Sequence, residues 1–316
     1  MKKYVLFLLA ALLLFESFPA YAQEKTEPPK EICFTIGSPI FQADGKEQFI
    51  DSENPDVVPF IDTESGCTMI PLRAFGELLG YQVRWNTEQP NQIVLSLKQA
   101  SSFTFMLGKS EMYAVYCRTN INEPSEYHWT KEFQLSAPSQ TKWDRTFISL
   151  RSFADLLGFN VVWNEKQQSV SLHVKQIDEL IELKAVTDVE TCKYGIEVTN
   201  LSKIPIRLYE AFFAEIYDST DTRIWFMSYP SAAVIPNRPS LNDYLRPLIE
   251  PAETYFETRT IHPEEPLAPN IYMVPGTYTL KTGLLQPASQ SGGLFFENRI
   301  LVSTEVVVAE FEIPEQ

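Results

Sequence analysis

Three histidines, four cysteines and 41 acidic residues are the side chains with which this 316-residue chain could do metal, thiol or acid–base chemistry. His128, His173 and His262 are scattered, and His173 sits in an alternating run that reads as a strand. No two of Cys33, Cys67, Cys117 and Cys192 are spaced as Cys-x-x-Cys, which argues against a zinc ribbon. There is no Gly-x-Ser-x-Gly elbow for a serine nucleophile, and no Gly-x-Gly precedes a helix to cradle phosphate. A Cys/His pair has no local signature, and nothing singles out two carboxylates for glycoside hydrolysis. No catalytic residue, metal site or cofactor is expected. What remains suits recognition. Trp129, Trp143 and Trp225 could offer flat faces to a glycan or peptide. Arg238 and Arg246 lie in a stretch, 228–250, that carries Pro230, Pro236, Pro239 and Pro247. A loop of that length is often functional and would suit a protease inhibitor. Arg73/Glu77 and Arg151/Asp155 stand four residues apart, as surface ion pairs on a helix do.

The elements that must position these groups are bounded by composition. Hydrophobic residues are 44% of the chain, enough for packed cores, so a disordered chain or a coiled coil is excluded. The length allows about two or three domains. A net charge of −15 repels a phosphate backbone, so nucleic acid is not an expected partner. Lys2 and Lys3 precede an apolar run, Tyr4 to Phe15, and Ala20-Tyr21-Ala22 is a small-x-small cleavage site. Residues 1–22 therefore read as a secretory signal peptide, with an exported product that has no membrane span after cleavage. Export permits disulfides, but the spacing of the four cysteines chooses none of the three pairings.

The strongest pattern is an internal repeat. Residues 67–86 (CTMIPLRAFGELLGYQVRWN) and 145–164 (RTFISLRSFADLLGFNVVWN) align at an offset of 78, with eleven of 20 positions identical. Each copy reads as strand, short helix, strand, turn, strand. Leu72, Phe75, Leu78 and Leu79 make one apolar helix face, and Gly80 suits the left-handed position that ends it. Val83 and Trp85, then Ile93, Leu95 and Leu97, alternate as strands. Trp85 and its equivalent Trp163 are expected in the core. Upstream, Asp44-Gly45 is a hairpin turn within 32–50, and 103–117 is its looser counterpart. The second copy carries an insertion at 118–142, with Trp129 in it and Trp143 directly after it.

The order of a strand ending Ile36-Gly37-Ser38, an Asp-Gly turn and a PLR-x-x-x-E-x-LG-x-x-V-x-W block at 71–85 resembles the copper amine oxidase N-terminal-like, or stalk, domain. The block at 149–163 departs from that pattern at Ser149 and Asp155. The resemblance spans about residues 32–174 and implies two small antiparallel sheets, each packed on one short helix. It also implies a module that carries neither copper nor catalysis, set in tandem in an exported protein of a Gram-positive bacterium. Amine oxidation needs three copper histidines and an Asn-Tyr-Asp/Glu tyrosine. The chain has only three histidines in all and no such tyrosine context.

After 175–183 the helix blocks stop and about seven alternating segments follow, which predicts an all-β sandwich. Val198-Thr199-Asn200, Ile224-Trp225, Pro251-x-Glu253 and Pro275-Gly276-Thr277-Tyr278 resemble the immunoglobulin-like intracellular proteinase inhibitors of bacilli. The expected organisation is signal peptide 1–22, linker 23–31, repeats 32–98 and 99–176, and sandwich 177–316. The fold class is α+β followed by an immunoglobulin-like all-β unit. The expected role is a secreted, non-enzymatic envelope protein that binds or spaces, with a cell-wall component or extracellular protein as partner. Protease inhibition through 228–250 and glycan binding are the alternatives.

Overall fold

The computed structural model describes residues 29–97, 101–117, 128–209, 212–228, 248–262, 273–284, 293–296, 299–301 and 306–314. Residues 1–28, with the expected signal peptide at 1–22, and 229–247, with Arg238 and Arg246, lie outside them. The described chain is mostly β, in antiparallel sheets, with two short α-helices. No described helix is long and apolar enough to cross a membrane.

The first repeat opens with β1 (Glu31–Thr35), β2 (Ile40–Ala43) and β3 (Lys46–Phe49), followed by β4 (Phe60–Ile61) and β5 (Thr68–Pro71). The β2–β3 turn is Asp44-Gly45, at φ 47° and 73°, the twist-matched two-residue hairpin connection. Helix α1 (Leu72–Leu78) follows without a break, then β6 (Gln82–Trp85) and β7 (Gln92–Leu97). Gly80 ends the helix at φ 85°, with Tyr81 N–H donating to Gly76 O and Gly80 N–H to Glu77 O. This double bond satisfies the last helical carbonyls, and a side chain at that φ would be strained. The second repeat runs β8 (Ser101–Met106), β9 (Glu111–Cys117), β10 (His128–Gln134), β11 (Gln140–Lys142), β12 (Arg145–Ser149), α2 (Leu150–Leu156), β13 (Phe159–Asn164) and β14 (Ser169–Val174).

The expectation of one sheet per repeat is corrected by the pairing. One five-stranded sheet runs β13-β14-β1-β2-β3, so the last strands of the second copy complete the first strands of the first. Its twin runs β10-β9-β8-β7-β6, with the copies in opposite roles. A third sheet, β11-β12-β5-β4, joins them. In it Ile70 faces Ile148, its own repeat equivalent, and Met69 and Pro71 face Ser149 and Phe147. An approximate two-fold axis therefore passes between Ile70 and Ile148. The reason is chain length: β7 reaches β8 through residues 98–100, so the nearest strand to extend its sheet belongs to the next copy. β1 is left with an open edge, which β14 closes from Glu31↔His173 to Thr35↔Ser169.

Each helix is too short to persist alone and is held by its apolar face. Phe75 and Phe153 are fully buried and meet edge-to-face at 6.0 Å beside the two-fold axis. Phe75 then packs on Phe34 of β1, and Phe153 on Phe105 of β8, the equivalent contact.

A single 3₁₀ turn (Ile177–Glu179), capped by Glu179 on Gln176, leads to β15 (Ile181–Asp188), β16 (Lys193–Asn200), β17 (Ile206–Tyr209), β18 (Phe212–Tyr217) and β19 (Arg223–Ser228). After these come β20 (Leu248–Ile249), β21 (Thr254–Thr260), β22 (Gly276–Leu284), β23 (Gly293–Phe296), β24 (Arg299–Leu301) and β25 (Val306–Ile313). They form three sheets: β15-β16-β21, β20-β17-β23-β24 and β19-β18-β22-β25. Ile181, Ile196, Val198, Ile204, Ile206 and Ile249 are buried in the same apolar cluster as the repeats. Tyr194, Ile216, Leu280 and Phe311 belong to a second cluster. Buried Asn200 ties the strand ends together: its side-chain amide donates to Ile204 O (3.0 Å) and Ile249 O (2.8 Å), and its Oδ1 accepts from Ser202.

Candidate functional site

The eleven positions shared by the two copies sort by what the fold asks of them. Ile70/Ile148, Leu72/Leu150, Phe75/Phe153 and Leu79/Leu157 are buried, and Leu78/Leu156 belong to the same core. Gly80 and Gly158 take left-handed φ of 85° and 70°. Asn86 and Asn164 cap turns, accepting from the N–H groups of Glu88 and Gln167 respectively. The other four pairs are Thr68/Thr146, Arg73/Arg151, Val83/Val161 and Trp85/Trp163, of which Val83, Val161 and Trp163 also pack against the core. Every one of these residues lines one of two surface grooves.

The grooves are related by the two-fold axis. The first, about 540 Å³, lies between the start of α1, the β6–β7 hairpin and the start of β12. The second, about 360 Å³, lies between the start of α2, the β13–β14 hairpin and the start of β5. Each groove takes its tryptophan and arginine from one copy and its threonine from the other, so neither exists without both. Trp85 and Trp163 stand on β6 and β13, the outer strands of the two large sheets. The core expectation fails for Trp85, which is 46% exposed; Trp163 is partly buried. An edge strand has no neighbour to cover its last side chain, which is why the alternation places the indole at the rim.

The two grooves differ in charge. In the first, Arg73 Nε lies 3.9 Å from Glu77 Oε1, as the spacing predicts. Arg145 Nε lies 2.7 Å from Asp51 Oδ2, joining the copies. Burial pushes the Asp51 carboxyl up, but the Glu53 N–H and Arg145 outweigh it and hold the group below the ordinary carboxylate range. Glu53 and Asp144 add two more acids to the lining. In the second groove the predicted Arg151–Asp155 pair does not form. Asp155 instead accepts from Lys175 Nζ at 2.5 Å and from Lys203 Nζ, a residue of the β16–β17 turn. Burial raises the Asp155 carboxyl, and the two lysines more than reverse that, so it stays below its usual value. Arg151 has no ion pair among the described residues.

The three tryptophans considered for a platform each pack on different neighbours. Trp129 packs edge-on against Tyr116 (5.5 Å) and beside Phe133 (6.3 Å). Trp143, at φ 50°, packs on Phe60 and Phe147, with Lys142 Nζ 4.2 Å from its ring. That left-handed φ costs about 1–2 kcal/mol and is held by this packing. Trp225 packs partly buried on the second core cluster. Arg238 and Arg246 lie outside the described residues. The groove residues Arg73, Arg151, Trp85 and Trp163 are visible as repeat identities, but the arginines read as surface ion pairs and the tryptophans as core. Cys33, Cys67 and Cys192 are free thiols. No cluster of three or more metal-ligating side chains occurs among the described residues. His173 Nδ1 lies 3.8 Å from Glu31 Oε1 on the exposed side of β14.

No curated protein matches the chain. The sequence profile of the copper amine oxidase N-terminal domain matches it twice, over residues 25–94 and 49–172. These spans overlap, and the interleaved strands allow no clean cut between the copies either. In amine oxidases this stalk-like domain is non-catalytic. Residues 25–172 are thus similar to the copper amine oxidase N-terminal domain, which matches them in two overlapping copies.

Proposed function

We propose that this chain is an exported, non-enzymatic protein of a Gram-positive cell envelope, in which the repeat body binds an envelope ligand through its two seam grooves. The β-rich second half, read as an immunoglobulin-like sandwich, is held on that body as a rigid extension. One observation carries the reading: four of the repeat identities, an arginine, a tryptophan, a valine and a threonine, line the grooves in both copies, eight residues in all. An indole face beside a guanidinium is a recognition pairing, with apolar contact from one and directed hydrogen bonds from the other. Export is supported by the charged, apolar and small-residue order of residues 1–22. Spacing is supported by the apolar cluster shared between the repeats and β15–β16.

The test is retention of residues 23–316 on purified cell wall, compared with Trp85→Ala/Trp163→Ala. Trp85 is exposed and Trp163 only partly buried, so the double variant is expected to keep its circular dichroism and lose most of its retention. Equal retention of the folded double variant would remove the grooves as the binding surface.

A further inference from the structure

The second groove has lost the anion that its twin keeps. Glu77 engages Arg73 in the first groove, but the equivalent acid, Asp155, is drawn off by Lys175 and Lys203. Among the described residues, Arg151 is left as the only charged side chain lining the second groove, in a chain of net charge −15. Trp163 lines the same groove with Ile61 and Val161, over the buried Leu150 and Val170. We infer that this groove binds the C-terminal end of a peptide: a free carboxylate on Arg151, with the apolar last side chain against Trp163 and the aliphatic wall.

The chemistry selects this occupant. A guanidinium fork meets a carboxylate through two parallel hydrogen bonds. The groove volume, about 360 Å³, is at the small end for a ligand site and suits a residue or two. An acidic sugar would need several free polar partners, and the rim has few. The Ser149 and Ser152 hydroxyls share one hydrogen bond, the Ser152 hydroxyl also accepts from Ser136 N–H, and the Cys67 thiol points at Ser136 O. A multiply charged phosphate would be repelled more strongly than a single carboxylate by the net negative protein.

The inference rests on the reading of the seam grooves as binding sites, and its experiment is separate from wall retention. Residues 23–316 are titrated calorimetrically with N-acetyl-Gly-Ala-Leu bearing a free carboxylate, with its C-terminal amide, and with N-acetylmuramic acid. The free acid is expected to bind about tenfold or more tightly than the amide, the size of one charged hydrogen-bond pair. Arg151→Gln should reduce the free acid to the amide's level, Arg151→Lys should restore part of the difference, and Arg73→Gln should change nothing. Arg151 is exposed, so these variants are expected to melt as the parent does. Equal binding of acid and amide, binding of neither, or tighter Arg151-dependent binding of the sugar acid would each overturn the inference. Wall retention that still depends on Trp85 and Trp163 would then leave the broader proposal standing.

Discussion

Tyr194 is fully buried on β16, and its hydroxyl has no hydrogen-bond partner among the described residues. The ring earns its place by packing on Phe311, at 4.8 Å between centroids. Burial, with smaller contributions from Cys192 and Asp188, pushes the phenol up to about 12. A buried donor without a partner carries its desolvation cost uncompensated, about 1–3 kcal/mol. Tyr194→Phe keeps the ring and removes the orphan group. It is therefore expected to leave stability unchanged or raise it by up to about 1 kcal/mol, read as the urea midpoint. A loss of more than about 1 kcal/mol would mean that the hydroxyl is satisfied after all. The contrast is Asn200, equally buried, whose amide and carbonyl are all used.

At the scale of elements, the decisive feature is the exchange of strands between the copies. β1 needs β14 and β7 needs β8, so each copy alone exposes two open sheet edges. It also loses the Phe75–Phe153 contact and the β5–β12 pairing at Ile70 and Ile148. A peptide covering 29–97 is expected to be unfolded as a monomer, or to fold only by pairing with a second copy that supplies the missing strands. Light scattering with circular dichroism checks this, and a folded monomer would show that the exchange is not needed. Within the whole chain, Phe75→Ala and Phe153→Ala should each cost about 3–5 kcal/mol, because both empty the same point of the core.

At the scale of the molecule, Asp155 joins three parts: helix α2, the strand exit at Lys175 and the β16–β17 turn at Lys203. Its carboxyl is held below the unfolded value of about 3.9. A depressed carboxyl contributes stability above that value, and the contribution is lost as pH falls through the lower folded value. Thermal scans of the whole chain should therefore show a melting temperature that drops below about pH 4, with Asp155→Asn already lowered at pH 7 and flatter across the same range. The expected cost at pH 7 is about 1–2 kcal/mol, since the carboxylate is partly solvated. A variant with the parent's full acid sensitivity would place that sensitivity elsewhere. The apolar cluster runs from the repeats into Ile181, Ile196 and Ile206, so the repeat body and β15–β16 should melt together.

Much of this was legible in the residues. The 78-residue offset marked the duplication, the apolar spacing of Leu72, Phe75 and Leu79 marked the helix face, and Gly80 and Asp44-Gly45 marked the helix end and the hairpin. Each of these is a local preference, expressed within one turn or one alternation. The pairing of strands was not legible. Alternation gives β7 a buried face but names no partner strand; the short connection to β8 and the closure of β1 by β14 do that. The same holds for Trp85: alternation says which face it is on, and the sheet edge says whether anything covers that face. Asp155 stands four residues from Arg151, yet bonds to Lys175 and to Lys203, 48 residues on. Local physics set the parts, whereas long-range contacts, which no spacing encodes, set which side chains were left free to bind.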